Sequence, residues 1–214
     1  MRKRVVGLLA VAMILPAMLV AQAFAAAMCN EPVPAPNFVV GEKWTQRDAQ
    51  GVETTNEVMQ VEGGVAQIKQ NNGDVAFIDS DRIARKVIKK NGEVLTSQGT
   101  GAYTVIGQKT LDFPLHVGKK WQWSFYGKGD SNTGSIQTYY QLYEVLACEE
   151  TTTSLGTFSA RKIQVDQRVA GSSGGGTYYF WYAPKVNSSV KRQYVPSRWW
   201  SKTYDSELVK YERR

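Results

Sequence analysis

At 214 residues the chain is long enough for one domain with a full hydrophobic core, once any targeting segment is set aside. Its 26 lysines and arginines exceed its 19 aspartates and glutamates, and three of those cations, Arg2, Lys3 and Arg4, fall in a candidate targeting segment, leaving 23 against 19. That mild excess in an exported chain excludes nucleic acid as the expected partner and leaves anionic lipid headgroups or acidic glycans. A single histidine and two cysteines exclude the usual His-pair and four-thiolate zinc sites, and no cofactor is expected.

Residues 1–25 read as a signal peptide: Arg2, Lys3 and Arg4 precede the apolar stretch from Val5 to Val20, and Ala23-Phe24-Ala25 supplies small-x-small cleavage chemistry. Cleavage after Ala27 and an uncleaved anchor are the alternatives. The destination is the periplasm or the extracellular space, where disulfides persist, so a Cys29–Cys148 bridge is expected, with two unpaired thiols as the competing reading. Lipid anchoring at Cys29 is disfavoured, because the bulky Met28 stands where a small residue normally precedes a lipidated cysteine. Residues 26–37, with Pro32, Pro34 and Pro36, form an extended leader.

From residue 38 to residue 214 the chain is punctuated like a β-meander. Asp48-Ala49-Gln50-Gly51, Glu62-Gly63-Gly64, Asn71-Asn72-Gly73 and Lys90-Asn91-Gly92 supply residues that tolerate positive φ between segments of strand length. Residues 52–61 alternate, with Val58 on one face and Met59 and Val61 on the other, and 82–90 read as a strand ending at Asn91-Gly92. Residues 96–111 read as an irregular crossing to a second group of strands at 121–126, 135–147, 157–169, 177–182, 190–200 and 203–211. In that group Tyr140, Leu142 and Leu146 share one face, and Tyr139, Tyr143 and Val145 the other. The strand Thr177-Tyr178-Tyr179-Phe180-Trp181-Tyr182 is aromatic on both faces, so both need cover. The expected architecture is all-β: one antiparallel, strongly curved sheet forming an unclosed barrel, with little or no helix after the signal peptide.

Catalytic motifs do not survive inspection. Gly171-Ser172-Ser173-Gly174-Gly175 fits G-x-S-x-G, but a strand rather than a helix follows and no histidine lies downstream, so it reads as a hairpin loop. His116 reads as a turn residue, Asp79 and Asp81 as a turn around Ser80, and Glu149 and Glu150 as strand neighbours on opposite faces. The cationic run Arg82, Arg85, Lys86, Lys89 and Lys90 reads as a solvated edge that resists aggregation. Val40-Gly41-Glu42-Lys43-Trp44 and Val117-Gly118-Lys119-Lys120-Trp121 echo one another; each glycine turns the chain into a strand and each tryptophan enters the sheet.

Those two stretches, together with Phe113-Pro114-Leu115-His116, residues 149–163 (EETTTSLGTFSARKI), 179–191 (YFWYAPKVNSSVK) and 207–211 (ELVKY), resemble a TapB-like family of secreted bacterial β proteins. The resemblance implies an unclosed barrel similar to bacterial lipoprotein carriers that hold acyl chains in a concave face, and it brings no catalytic residues. Those carriers close their cavity with helices, which this chain lacks. The function expected is non-enzymatic binding of a lipid or other hydrophobic or amphipathic small molecule on the concave face, with Trp121, Trp123, Tyr140, Tyr178, Phe180 and Tyr182 as the contact residues. The alternative is a structural envelope protein with a protein partner; a cofactor-free enzyme ranks last.

Overall fold

A computed structural model of the protein describes residues 31–96, 109–128, 136–171, 175–196 and 205–213. The expected signal peptide and Cys29 lie outside these residues, as do most of the crossing and the centre of the glycine-serine loop. The described chain forms twelve strands: β1 (Lys43–Asp48), β2 (Glu53–Glu62), β3 (Val65–Gln70), β4 (Val75–Asp79), β5 (Ala84–Ile88), β6 (Val94–Thr96), β7 (Lys120–Lys128), β8 (Ile136–Thr153), β9 (Gly156–Val169), β10 (Gly175–Ala183), β11 (Ser188–Pro196) and β12 (Ser206–Glu212). A single 3₁₀ turn, Pro184–Val186, is the only helical element among the described residues.

All twelve strands belong to one antiparallel sheet in the order β6-β5-β4-β3-β2-β1-β12-β11-β10-β9-β8-β7. The chain thus builds two six-strand meanders, and the β1–β12 ladder joins them. The echoed motif opens both. Gly41 and Gly118 each take φ 85°, a left-handed conformation that a side chain would disfavour, and deliver the chain into β1 and β7. The ends of the order, β6 and β7, do not pair with each other, so the barrel is unclosed as expected.

The sheet is strongly curved. Arg82, in the turn between β4 and β5, donates through Nη2 to the backbone and side-chain oxygens of Asn187, in the turn between β10 and β11. β3, β2, β1, β12 and β11 separate β4 from β10 in the sheet, so this contact requires the sheet to curl until its two parts face each other. Register shifts supply the bending: they fall at Thr45/Gln46, Val58/Gln60, Phe77/Ile78, Val145/Ala147 and Trp181/Tyr182. The concave face is the one carrying Trp44 and Tyr182, since the Arg82 guanidinium lies 5.9 Å from the Trp44 ring and bonds Asn187, whose Oδ1 accepts the Tyr182 hydroxyl at 3.2 Å.

Two apolar clusters fill the fold. One gathers Phe38, Trp44, Val58, Ile68, Leu208 and Val190 with Trp181 and Ala183; the other gathers Tyr143, Val145, Ile163 and Val165 with Phe180 and Tyr182. Strand β10 therefore buries both faces of its Phe180–Ala183 end, Trp181 and Ala183 joining the first cluster and Phe180 and Tyr182 the second, which is why this stretch is apolar on both sides. In β2, Val58 points inward while Met59 and Val61 stay in solvent, as the alternation predicts.

The β8–β9 hairpin is longer than the sequence suggests. Residues 148–153 continue β8, because threonines pair well on a pleated surface, and Thr152 meets Thr157 across the ladder with their hydroxyls 3.1 Å apart. The hairpin tip bends to β12, where the backbone N–H and hydroxyl of Ser154 donate to the Glu207 carboxylate at 3.2 and 3.0 Å. Other strand bounds shift as well: within the expected 82–90 strand only Ala84–Ile88 pairs as β5 and Arg82 stays in the turn, β10 spans Gly175–Ala183, β11 starts at Ser188, on leaving the 3₁₀ turn, and β12 spans Ser206–Glu212.

Candidate functional site

Strands β7 to β10 place most of the expected contact residues together. In register across the sheet, Trp121 stands opposite Tyr143, Tyr143 opposite Val165, and Val165 opposite Tyr178; Trp123 stands opposite Gln141, and Phe180 opposite Ile163. Trp121, Trp123, Tyr178, Phe180 and Tyr182 consequently join one cluster on the concave face. Residues 109–117 lie across them: Leu111 and Leu115 are buried in the same cluster, and the Phe113 ring meets Tyr182 edge-on at 5.6 Å. The indole of Trp121 stacks on Tyr143 at 4.9 Å and donates to the Lys109 carbonyl at 3.2 Å.

This cover is fastened at both ends. Val33 and Leu115 exchange backbone hydrogen bonds of 2.8 Å, tying the leader over it. Asp112 pairs with Lys109 at 2.5 Å and Lys119 at 3.0 Å. Partial burial opposes ionisation of Asp112, but the two ammonium groups outweigh it and hold the carboxyl below its usual range. Beneath the cover runs a polar chain: the Tyr143 hydroxyl donates to Gln141 Oε1 at 2.6 Å, and Gln141 Nε2 donates to Gln167 Oε1 at 2.8 Å and the Tyr178 hydroxyl at 3.3 Å. Burial pushes the Tyr178 phenol up from its usual range.

Tyr140 lies on the other face. It is 49 % exposed and Leu142 46 %, both on β8, between β7 and β9, with Leu146 further along the strand. The convex surface of β7 to β9 carries two adjoining hollows of about 480 and 430 Å³ that share Gln122, Leu142 and Asp166. Tyr140, Ser124 and Arg168 border one end, and Lys120, paired with Glu144 at 3.1 Å, borders the other. Asp166 is fixed between Gln164 Nε2 at 2.9 Å and the Thr177 hydroxyl at 2.6 Å. The groove is thus apolar along its midline and polar at its margins. The strand backbone at Trp121 and Trp123 forms part of its floor, while their indoles lie on the opposite face of the sheet.

Leu142 was legible as a face-mate of Tyr140 on one strand, whereas Gln122, Asp166 and Arg168 come from neighbouring strands and needed the register. Among the described residues no group of three or more His, Cys, Asp or Glu side chains gathers as metal ligands. His116 is exposed, with Nδ1 3.1 Å from its neighbour's carbonyl oxygen. Near the leader, Arg161 donates to the Cys148 sulfur and, at 2.8 Å, to the Glu31 carbonyl, which brings the chain to Cys148 two residues after Cys29.

No protein-family model matches the chain, and no curated protein sequence does. Among solved structures it is similar to the hypothetical lipoprotein YmcC from Escherichia coli K12, at 12 % identity and TM-score 0.46 over 89 % of this chain and 96 % of that one. A candidate exported protein with a YmcC-like fold from Bacteroides fragilis NCTC 9343 gives 15 % and 0.41 over 86 % and 100 %. A candidate lipoprotein from Parabacteroides distasonis ATCC 8503 gives 16 % and 0.40 over 86 % and 100 %. At these TM-scores nothing about the fold or function of this chain rests on the likeness.

Proposed function

We propose that the protein is an exported, non-catalytic binding module of the cell envelope whose ligand is a lipid or similar amphipathic small molecule lying in the groove across β7, β8 and β9. The observation that carries this reading is the exposure of Tyr140 and Leu142 on the floor of a hollow formed by the last three strands of the sheet, flanked by Gln122, Asp166 and Arg168. An apolar midline accepts a hydrocarbon or ring face, and the polar margin accepts a headgroup. On the concave face Leu111, Phe113 and Leu115 pack against Tyr182 and its neighbours.

Titration with fatty acids, lysophospholipids and mild detergents tests the reading. Wild-type protein shifts its tryptophan emission and melts at higher temperature with at least one of them, and Tyr140→Ala and Leu142→Ala weaken that response roughly five- to tenfold each, as loss of one apolar contact does. Silence across the whole panel refutes it. The second reading, an envelope interaction protein, draws on the same covered concave face; recovery of a stoichiometric protein partner from the native envelope, with no extractable lipid, would favour it.

A further inference from the structure

Among the described residues the non-glycine positions with left-handed backbone are Arg82, at φ 61°, and Asn187, at φ 49°, and these two residues bond each other. Around them lies a group of buried polar side chains. Glu42 is 0 % exposed and accepts the Tyr211 hydroxyl on Oε1 at 2.8 Å. Asn187 is 3 % exposed and accepts the Tyr182 hydroxyl on Oδ1 at 3.2 Å. The Arg82 guanidinium lies 4.4 Å from the Phe38 ring centre, which walls the site on one side.

Each of the three principal residues keeps one buried polar atom with no hydrogen-bond partner: Glu42 Oε2, Arg82 Nε and Asn187 Nδ2. An unmet buried polar group carries a large desolvation penalty, and three within one cluster point to a shared partner. Glu42 and Arg82 are within electrostatic reach of each other and of Tyr182 but do not form a contact ion pair. The carboxylate and guanidinium cancel in charge, so the site has no call for an ion. What it offers is two N–H donors and one oxygen acceptor.

We propose that Glu42 Oε2, Arg82 Nε and Asn187 Nδ2 form an internal site for a single hydroxyl group, supplied by water or by a small alcohol. A hydroxyl oxygen accepts from Arg82 Nε–H and Asn187 Nδ2–H while its proton is donated to Glu42 Oε2, which satisfies all three atoms at once. Such a bridge links the carboxylate to the guanidinium without bringing them into contact. It also fastens together the entry to β1, the β4–β5 turn and the β10–β11 turn, three elements remote in the sheet order.

High-resolution crystals of the full chain, grown in plain buffer and soaked in ethanol, test the site. An ordered water bonded to the three atoms in plain buffer supports the proposal with water as the source. Ethanol oxygen bonded there only after soaking supports it with an alcohol as the source. Density for neither, or for an ion, overturns it. In solution, water relaxation dispersion of the wild type is compared with Glu42→Gln and with Asn187→Gly, which keeps the left-handed backbone. If water is the source, each variant loses one long-lived internal water; an unchanged count in both folded variants overturns that assignment.

Discussion

Whether residues 109–117 are permanent core or a removable cover decides which face of the sheet is open to a ligand, and Leu115→Ala tests it. Leu115 is 0 % exposed, packs in the cluster with Tyr143, Val145 and Tyr182, and exchanges backbone bonds with Val33. Truncating a fully buried leucine removes its transfer free energy and leaves a cavity, together about 3 to 5 kcal/mol. For a domain of this size each kcal/mol lowers Tm by about 2 to 4 °C, so a fall of about 6 to 20 °C is expected. Urea unfolding followed by tryptophan emission and by circular dichroism should show an earlier midpoint with an unchanged slope, since the surface exposed on unfolding stays the same. The exposed Met59→Ala serves as control and should move the midpoint by less than about 0.5 kcal/mol. If Leu115→Ala behaves like that control, the segment does not pack in solution, the concave aromatic face is accessible, and the assignment of the ligand to the convex groove fails.

Trp44→Ala should cost about 3 to 5 kcal/mol in the same assay, and Trp121→Ala less, about 2 to 3 kcal/mol, because Trp44 is buried and Trp121 only partly so; equal costs would contradict the burial pattern. Gly175→Ala would place a methyl 2.3 Å from the Gln167 carbonyl oxygen, an overpacking cost of about 1 to 3 kcal/mol, and a neutral result would mean the β9–β10 ladder is wider than described. Burial and the hydrogen bond to Glu42 push the Tyr211 phenol up to about 12, above its unfolded value of about 10. A raised phenol stabilises the fold fully below the unfolded pKa and loses that contribution as pH rises from about 10 toward 12, so Tyr211→Phe should flatten the stability decline in that window. A Cys29–Cys148 bridge predicts that intact protein releases no thiol to alkylation until reduced, and that Cys148→Ser costs about 2 to 5 kcal/mol; alkylation of both cysteines without reduction would exclude it.

Much of the fold was readable because its determinants are local. Glycines at the turns mark the hairpins, and the inward Val58 beside the outward Met59 and Val61 fixes the facing of β2 without further information. The double-sided burial of the Phe180–Ala183 end of β10 followed from a strand with no polar face. The site was harder. Trp121 and Tyr178 were readable as aromatic strand residues, but whether they line a cavity depends on Leu111, Phe113 and Leu115, which sit in a non-periodic segment that no strand or helix pattern marks. Arg82 illustrates the limit. It reads as one cation in a solvated run, yet its guanidinium crosses the concave face to a residue 105 positions away, a contact made by curvature accumulated over several bulges.

The ladder that unites the two meanders carries a consequence for the order of assembly. Every other pairing in the sheet joins strands adjacent in sequence, so each meander can zip up from local hairpins at low loop-closure cost. The β1–β12 pairing alone spans nearly the whole domain, and β12 is the last of the strands to be synthesised. It is also held lightly on its other side, with only Lys191↔Glu207 and Arg192↔Ser206 registered against β11. A nascent chain therefore cannot complete the curved sheet until β12 has been synthesised, so the two meanders exist as separate folding units before the ladder joins them.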